Sequence, residues 1–447
     1  MSNRYPFKSR SYLIAEFSFN LMNGRKCFPS LDGHYIFERM PTTLRVVHRT
    51  DYADAMSAID LFKKDFPDLA SKFPLSEFSS GPLVGSIISI LCGIVDSIPC
   101  HVPVTRIAML NAGSGCAMWR MSIPAMFIET KDIEVSLFAS EKDFHLDELR
   151  GSQDVIFAQW IANYAAISEV SAAKARGVRL VYDMDDNYMD VPLDNPSRDV
   201  VDVCGISAMH SAAAMADCIT VTTDVLAERV RKSFPGVPVV VIPNSMDTTE
   251  EGWRNPEDCG SKDGSVKIFW AGGVSHRRDL QVCLSAIDSI LHDYPNTIFI
   301  TAGYKSPDIE LMALKPHWKG RYFHLGGVDS YQYFEKLKTL NADIGIAPLE
   351  DDSFNQCKSN IKFIEYTMAG MPTVASRVGP YSDTMDHKVD GFLPKNTHQD
   401  WYHCLSKLVE SRQKRLEMVI SAKKKVVANW DIRKHRQKWV DALIPKL

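Results

Sequence analysis

From about Val104 onward the chain alternates short apolar runs with longer segments in which apolar residues recur every three or four positions. Runs of the first kind read as buried strands and segments of the second as helices. The first cycle opens with a strand at Arg106–Leu110, broken by Gly113-Ser114-Gly115 and followed by a helix over Met118–Ile128. Further strands are predicted at Val135–Ala139, Asp154–Ala158, Arg179–Tyr182, Cys218–Val221 and Val239–Ile242, separated by helices that end at Ala175 or span Val201–Ala216 and Asp224–Phe234. Pro243–Ser265, rich in Asn, Pro, Gly, Asp and Glu, breaks the rhythm and reads as a linker. The cycle then restarts with strands at Lys267–Ala271, Thr297–Ala302, Arg321–Leu325, Ile344–Pro348 and Thr373–Ser376, and helices at Leu280–Asp293, Tyr331–Leu340, Ile361–Ala369 and through Trp401–Leu443.

Strand–helix alternation of this kind predicts parallel sheets with helices on both faces. The expected architecture is therefore α/β, with two doubly wound, Rossmann-like domains facing a central cleft. Residues 104–243 form the first, 244–265 the linker and 266–425 the second. Residues 426–447 are expected to pack back toward the first domain, and 1–103 form an N-terminal extension of no assigned fold. Within that extension Asp51–Phe73 carries helical spacing. Gly81–Val95 is an apolar run of 15 residues, short of the ~20 a membrane helix needs. A buried helix is the expectation there, with an interfacial membrane helix as the alternative.

Composition adds little constraint. Of 447 residues 45% are hydrophobic and 24% charged, and the net charge of −4 supplies no global basic field for nucleic acid or anionic lipid. Local basic clusters stand out in residues 1–50 and again at Lys423, Lys424, Lys425, Arg433, Lys434 and Arg436. They read as a solvated face or as a docking surface for a polyanionic acceptor or a membrane. The 10 cysteines form no metal-ligand spacing, and the N-terminus lacks a signal-peptide layout. A reduced, cytoplasmic protein, with peripheral membrane contact left open, is expected.

Three segments carry chemistry. Lys267–Leu280, KIFWAGGVSHRRDL, is a strand ending in Gly272-Gly273 with a helix beginning near Asp279. Glycine lets backbone approach a ligand, and a helix N-terminus favours phosphate. Arg277 and Arg278 add cationic donors, and His276 is placed to meet sugar or phosphate. In Asn355–Gly379, NQCKSNIKFIEYTMAGMPTVASRVG, the residues Lys358, Lys362 and Glu365 share a helix face whose N-terminal end carries Ser359. Lys358 and Lys362 suit a diphosphate, and Glu365 suits ribose hydroxyls. Finally, Tyr182-Asp183-Met184-Asp185-Asp186-Asn187 ends a strand at the cleft. Its Asp183-x-Asp185 spacing is compatible with a divalent metal, with acceptor binding or with a structural loop.

The second half resembles the GT-B glycosyltransferases of family 4, or group 1. The resemblance rests on the glycine turn followed by Arg278, on Ala342-Asp343-Ile344-Gly345-Ile346-Ala347-Pro348-Leu349, and on Lys358-Ser359 through Lys362, Glu365-Tyr366 and Gly370-Met371-Pro372. Gly115, Trp119-Arg120 and Pro124 resemble the family's N-terminal turn and helix, and Pro243-Asn244-Ser245-Met246-Asp247 its interdomain transition. The resemblance implies transfer of a sugar from a nucleotide-sugar, expected to be a UDP-sugar, to an acceptor hydroxyl, with retention and without a required metal or other cofactor. Gly272, Gly273, Arg277, Arg278, Lys358, Ser359, Lys362 and Glu365 are then the donor site. Gly115, Arg120 and Asp183 fall to the acceptor, and Asp185, Asp186 and His276 to catalysis. Glu365 matches the second Glu of the family's Glu-x7-Glu motif, but Cys357 occupies the place of the first. The expected acceptor is a bacterial surface glycan or glycolipid. A hydroxymethylated DNA base is the alternative acceptor. A non-catalytic nucleotide-sugar-binding subunit, or an isomerase on the same fold, is the alternative activity.

Overall fold

A computed structural model describes residues 34–39, 44–50, 104–111, 116–138, 153–162, 164–193, 195, 198, 203–258, 260, 261, 263–328 and 330–444. The helices anticipated at 51–73 and 81–95 lie outside these residues. Two compact units result. One comprises Met1–Val104 with Thr130–Asp132; the other comprises Thr105–Glu129 and Ile133–Leu447. The described strands of the first unit are β1 (His34–Arg39) and β2 (Leu44–Thr50), an antiparallel pair whose register shifts between Ile36 and Phe37.

The second unit holds two six-stranded sheets. The first is built from β3 (Thr105–Asn111), β4 (Ile133–Phe138), β5 (Val155–Gln159), β6 (Arg179–Met184), β7 (Cys218–Val221) and β8 (Val239–Val241), in the order β4-β3-β5-β6-β7-β8 and parallel throughout. Every residue of β5 is buried, as a strand covered on both faces by helices requires. The helix expected at Met118–Ile128 divides into a π-helical turn, Met118–Ser122, and α1, Ile123–Ile128. Pro124 has no N–H to return to the preceding turn, so the wider turn sits where the ladder is broken. The sheet's other helices are α2 (Tyr164–Ala175), α3 (Val203–Met215) and α4 (Asp224–Ser233), the last capped by the Thr223 hydroxyl on Leu226 N–H.

The second sheet contains β9 (Val266–Gly272), β10 (Thr297–Gly303), β11 (Tyr322–Gly326), β12 (Ile344–Ala347), β13 (Thr373–Ala375) and β14 (Gly391–Phe392), in the parallel order β11-β10-β9-β12-β13-β14. Around it lie α5 (Arg277–Asp293), α6 (Pro307–Met312), α7 (Ser330–Thr339), α8 (Ser353–Gln356), α9 (Ile361–Met368), α10 (Gly379–Thr384) and α11 (His398–Glu410). The short elements α6, α8, α10 and β14 are too brief to leave a periodic signature. Helix α5 begins at Arg277, not near Asp279, so Asp279 sits in its first turn.

The chain closes with α12 (Arg412–Asn429) and α13 (Ile432–Leu443). Met246 of the linker bridges to Asp431, with Met246 N–H donating to Trp430 O at 3.0 Å and Ile432 N–H to Met246 O at 2.9 Å. This bridge turns α13 onto the first sheet. There Trp439 meets Phe157 edge-on, ring centroids 5.7 Å apart, and Arg436 Nε donates to Phe127 O at 2.7 Å. A single apolar cluster therefore runs from Met109, Phe157 and Val181 through Met246 and Trp439 to Phe363 and Tyr366 of α9.

Arg120 and Asp183 lie inside this arrangement and present no surface to an acceptor, contrary to the expectation that they bind one. The Arg120 side chain is fully buried. Its Nη2 donates to Asp183 Oδ1 at 2.7 Å, Nη1 to Ile242 O at 2.6 Å and to Asn244 Oδ1 at 3.3 Å, and its guanidinium stacks 4.6 Å from the Trp439 ring centroid. Asp183 also accepts from Gln159 at 2.9 Å and Thr220 at 2.6 Å. All acceptor capacity of the pair is spent internally. Removing one partner strands a buried charge, so Asp183→Ala is expected to lower unfolding stability by about 3–5 kcal/mol. Urea denaturation checks this; an unchanged midpoint would place the pair outside the framework.

Candidate active site

The site forms where β9, β12 and β6 end. β9 stops at Gly272, and Gly273 leads through the 3₁₀ turn Val274–His276 into α5. A Cβ on Gly272 would lie 2.7 Å from the Trp270 ring, and one on Gly303 (φ +88°) would lie 2.5 Å from Gly272 O. The glycines therefore permit close backbone packing at the strand ends. Around Gly273 the space is open.

His276 is set between two groups. Nδ1 lies 2.7 Å from Asp279 Oδ2 and Nε2 lies 3.3 Å from Lys362 Nζ. Burial, then the Lys362 charge, pulls its pKa down to about 4. The neutral ring that results can donate from Nδ1 to Asp279 and accept at Nε2 from the ammonium. Asp279 Oδ1 accepts from Asn355 Nδ2 at 2.7 Å and Glu350 N–H at 2.9 Å, which fixes the loop after β12 to the first turn of α5. Arg278 Nη2 pairs with Glu350 Oε2 at 2.7 Å. Arg277, its neighbour on the helix, turns toward α6 instead, with Nε 4.0 Å from Asp308 Oδ2.

The segment leading into α9 supplies the cations. Lys358 is 7% exposed, with Nζ 3.1 Å from Asp186 Oδ2 and 4.4 Å from the Phe354 ring centroid. Burial lowers its pKa, but the carboxylates of Asp186 and Asp279 more than offset this, leaving the ammonium firmly charged. Lys362 differs. Burial pulls its pKa down, Glu365 offsets this only in part, and Lys358 pushes it further down. Among the described residues no ion pair holds it; its contact is His276. Glu365, 5% exposed, accepts from Tyr333 OH at 3.0 Å, and burial lifts its pKa to about 7 despite the Lys362 charge. Ser359 is tied down: its Oγ accepts from Asn244 Nδ2 at 2.8 Å.

Across from these residues β6 is followed by Asp185-Asp186. Asp186 faces Lys358. Asp185 is buried and accepts from Trp160 Nε1 at 2.8 Å, and burial followed by the neighbouring Asp186 charge lifts its pKa to about 6. The Cys116 thiol bonds to the same carboxylate. Gly115 lies outside the described residues. Cys357 is fully buried with the apolar cluster of the first sheet, its carbonyl accepting from Thr223 Oγ1 at 3.1 Å. Burial raises its thiol to about 11, so this position offers the site no acid. Among the described residues no cluster of three His, Cys, Asp or Glu side chains suits a metal ion.

The structure thus brings together His276, Arg278, Lys358, Lys362, Glu365, Asp185 and Asp186. It leaves Arg277 at the periphery and commits Arg120, Asp183 and Ser359 to internal bonds. Sequence reasoning missed Asp279, Tyr333, Asn355 and Trp160. Trp160 carried a readable signal, since it lies two residues beyond a predicted strand at the sheet's ligand-binding edge.

Residues 265–411 match the family model described as Glycosyl transferases group 1. No curated protein matches the sequence. Among solved structures the chain is similar to Anabaena Alr3699/HepE in complex with UDP and glucose, at 15% identity over 76% of this chain and 99% of that one, TM-score 0.56. It is similar also to sucrose-phosphate synthase from Thermosynechococcus elongatus, at 11% identity over 75% and 97% of the two chains, TM-score 0.55. A third is a variant of S. aureus TarM in complex with fondaparinux, alpha-GlcNAc-glycerol and UDP, at 11% identity over 69% and 59%, TM-score 0.52. At these identities the likeness is one of fold, and the fold is GT-B.

Glu365 gives a stability test. Its folded pKa of about 7 lies above the ordinary 4.5, so its contribution is present below pH 4.5 and lost as pH rises through 7. Across that window the wild type is expected to lose on the order of 3 kcal/mol more than Glu365→Gln. Urea midpoints of both proteins at pH 4.5 and 7.5 check the difference.

Proposed function

We propose, from the premise that the chain is a GT-B glycosyltransferase whose residues 265–411 form a group 1 domain, that it moves the sugar of a UDP-sugar onto a hydroxyl of a carbohydrate or glycolipid acceptor. The observation that carries the reading is Lys362. It is a partly buried ammonium at the start of α9, set against neutral His276 and outside any ion pair among the described residues. A partly desolvated charge without an ion-pair partner is costly, and a diphosphate at the same helix end would supply the partner. The UDP held by the HepE and TarM structures is the ligand chemistry that fits.

In this reading Lys362, Lys358, Arg278 and the free amides at the start of α9 surround the diphosphate. Glu365, steadied by Tyr333, receives the ribose hydroxyls. The anomeric C–O bond to the diphosphate breaks and its electron pair goes to the phosphate oxygen, where the cations stabilise the charge. The acceptor oxygen forms the new C–O bond on the face the leaving group vacates, which retains configuration. The acceptor's proton passes to Asp185. Asp186 is instead paired with Lys358, Nζ 3.1 Å from its Oδ2. The carboxyl of Asp185, lifted to about 6, is matched to neutral pH. The cationic side chains do the work a divalent metal would otherwise do.

Lys362→Ala is expected to lower kcat/KM for the UDP-sugar about 10²–10³-fold, as does loss of one charge-stabilising group in comparable sites. EDTA is expected to leave wild-type turnover unchanged. A nucleotide-sugar panel read by product formation checks both. Undiminished turnover in Lys362→Ala would sink the site, and EDTA inactivation would sink the metal-free reading.

A further inference from the structure

Trp160 directly follows β5 and has a φ of +56°. For a bulky L residue this left-handed conformation crowds Cβ against the carbonyl and costs about 1–2 kcal/mol. Such strain persists where the surroundings fix it, and it concentrates at functional sites. Two contacts fix it here. The indole Nε1–H reaches across to the end of β6 and donates to Asp185 Oδ1 at 2.8 Å, and the ring lies against buried Tyr188, centroids 6.0 Å apart. A conventional φ at this residue would send the side chain elsewhere and leave Asp185 without that donor.

Other groups around Asp185 hold its backbone or press on its charge. Thr222 Oγ1 donates to the Asp185 carbonyl at 3.2 Å, which fixes the strand end. Asp183 lies below, satisfied by Arg120, and Asp186 lies beside, with Lys358 of the second sheet beyond it. Both neighbouring carboxylates oppose ionisation of Asp185, whereas Cys116 and Trp160 donate hydrogen bonds to it. Of these donors the indole is the one held rigidly, by a two-torsion side chain wedged on Tyr188.

We propose that Trp160 is a positioning residue for the transfer step: its indole N–H fixes the Asp185 carboxylate in the orientation that receives the acceptor's proton. The proposal rests on the transferase reading above. The left-handed turn is then the structural cost of aiming a donor from one strand end at the carboxylate of the next. No contact between Trp160 and the donor is required.

Trp160→Phe keeps the ring and removes the N–H, so its effect is separable from loss of packing. Asp185 is followed by carbon-13 NMR of Asp-labelled full-length protein, its signal assigned by disappearance in Asp185→Asn. In Trp160→Phe the Asp185 titration is expected to move up by about one pH unit, since a hydrogen bond to the charged form has been lost. The acid limb of kcat/KM for acceptor should move with it. Activity at pH 5.5 then falls about tenfold relative to wild type, kcat falls at pH 8.5 as well because the carboxylate is no longer aimed, and UDP affinity is retained. An unmoved Asp185 titration overturns the proposal. So does a shifted titration with an unmoved acid limb, because Asp185 would then not be the group that takes the proton. A wild-type protein that transfers from no UDP-sugar would instead fail the transferase reading, and the titration would still decide whether Trp160 holds Asp185.

Discussion

The joining of the first sheet, the linker and the terminal helix depends on satisfying one buried guanidinium. Arginine cannot shed its charge by losing a proton, so burying it demands a full set of partners. Those of Arg120 come from β6, from the carbonyl that ends the first sheet, from the linker and from the face of Trp439 on α13. The first sheet, the start of the linker and the docking of the terminal helix are thereby coupled. The coupling extends through Asn244, which accepts from Arg120 and donates to Ser359 just before α9. Helix α9 is registered against the first sheet by a chain of hydrogen bonds with one charged pair at its root.

On that frame the cleft holds an uneven set of charges. Lys358 is balanced by Asp186 from the opposite sheet, so its charge is secure. Lys362, partly buried, has no ion-pair partner among the described residues, and Glu365 offsets its desolvation only in part. Asp185 and Glu365 are lifted toward neutrality for the same reason, burial in a poorly solvated site. Groups displaced from their ordinary ionisation in this way concentrate at functional sites. Residues 354–381 accordingly do two things. Lys358 meets Asp186 and Lys362 meets His276, whereas Cys357 and Ser359 fasten the segment to the first sheet and its linker.

Much of this was readable in the chain, and the exceptions share a cause. Strand ends fell within a residue or two of prediction because apolar runs and glycine turns are local signals; Cys218–Val221 matches throughout. The Lys358, Lys362 and Glu365 face followed from helical spacing. What could not be read were choices made by tertiary neighbours. Asp183, Asp185 and Asp186 look alike on one strand end, yet one is spent on Arg120, one is held by Trp160 and one meets Lys358. Arg277 and Arg278 are adjacent in sequence, but the helix rotates one toward Asp308 and the other toward Glu350. Cys357 looked like a site position that had lost its acid; the fold uses it as part of the first sheet's apolar cluster.

The central claim is that Lys362 is held at a cost for the sake of an anionic donor. Stability and UDP affinity should therefore move in opposite directions when its charge is removed. The deciding measurement is Lys362→Met, with unfolding followed in urea and UDP binding followed by calorimetry. The account predicts an unchanged or higher urea midpoint together with UDP affinity weakened by at least about tenfold, about 1.4 kcal/mol. A lower midpoint with UDP affinity intact would show that Lys362 serves the fold and not the donor.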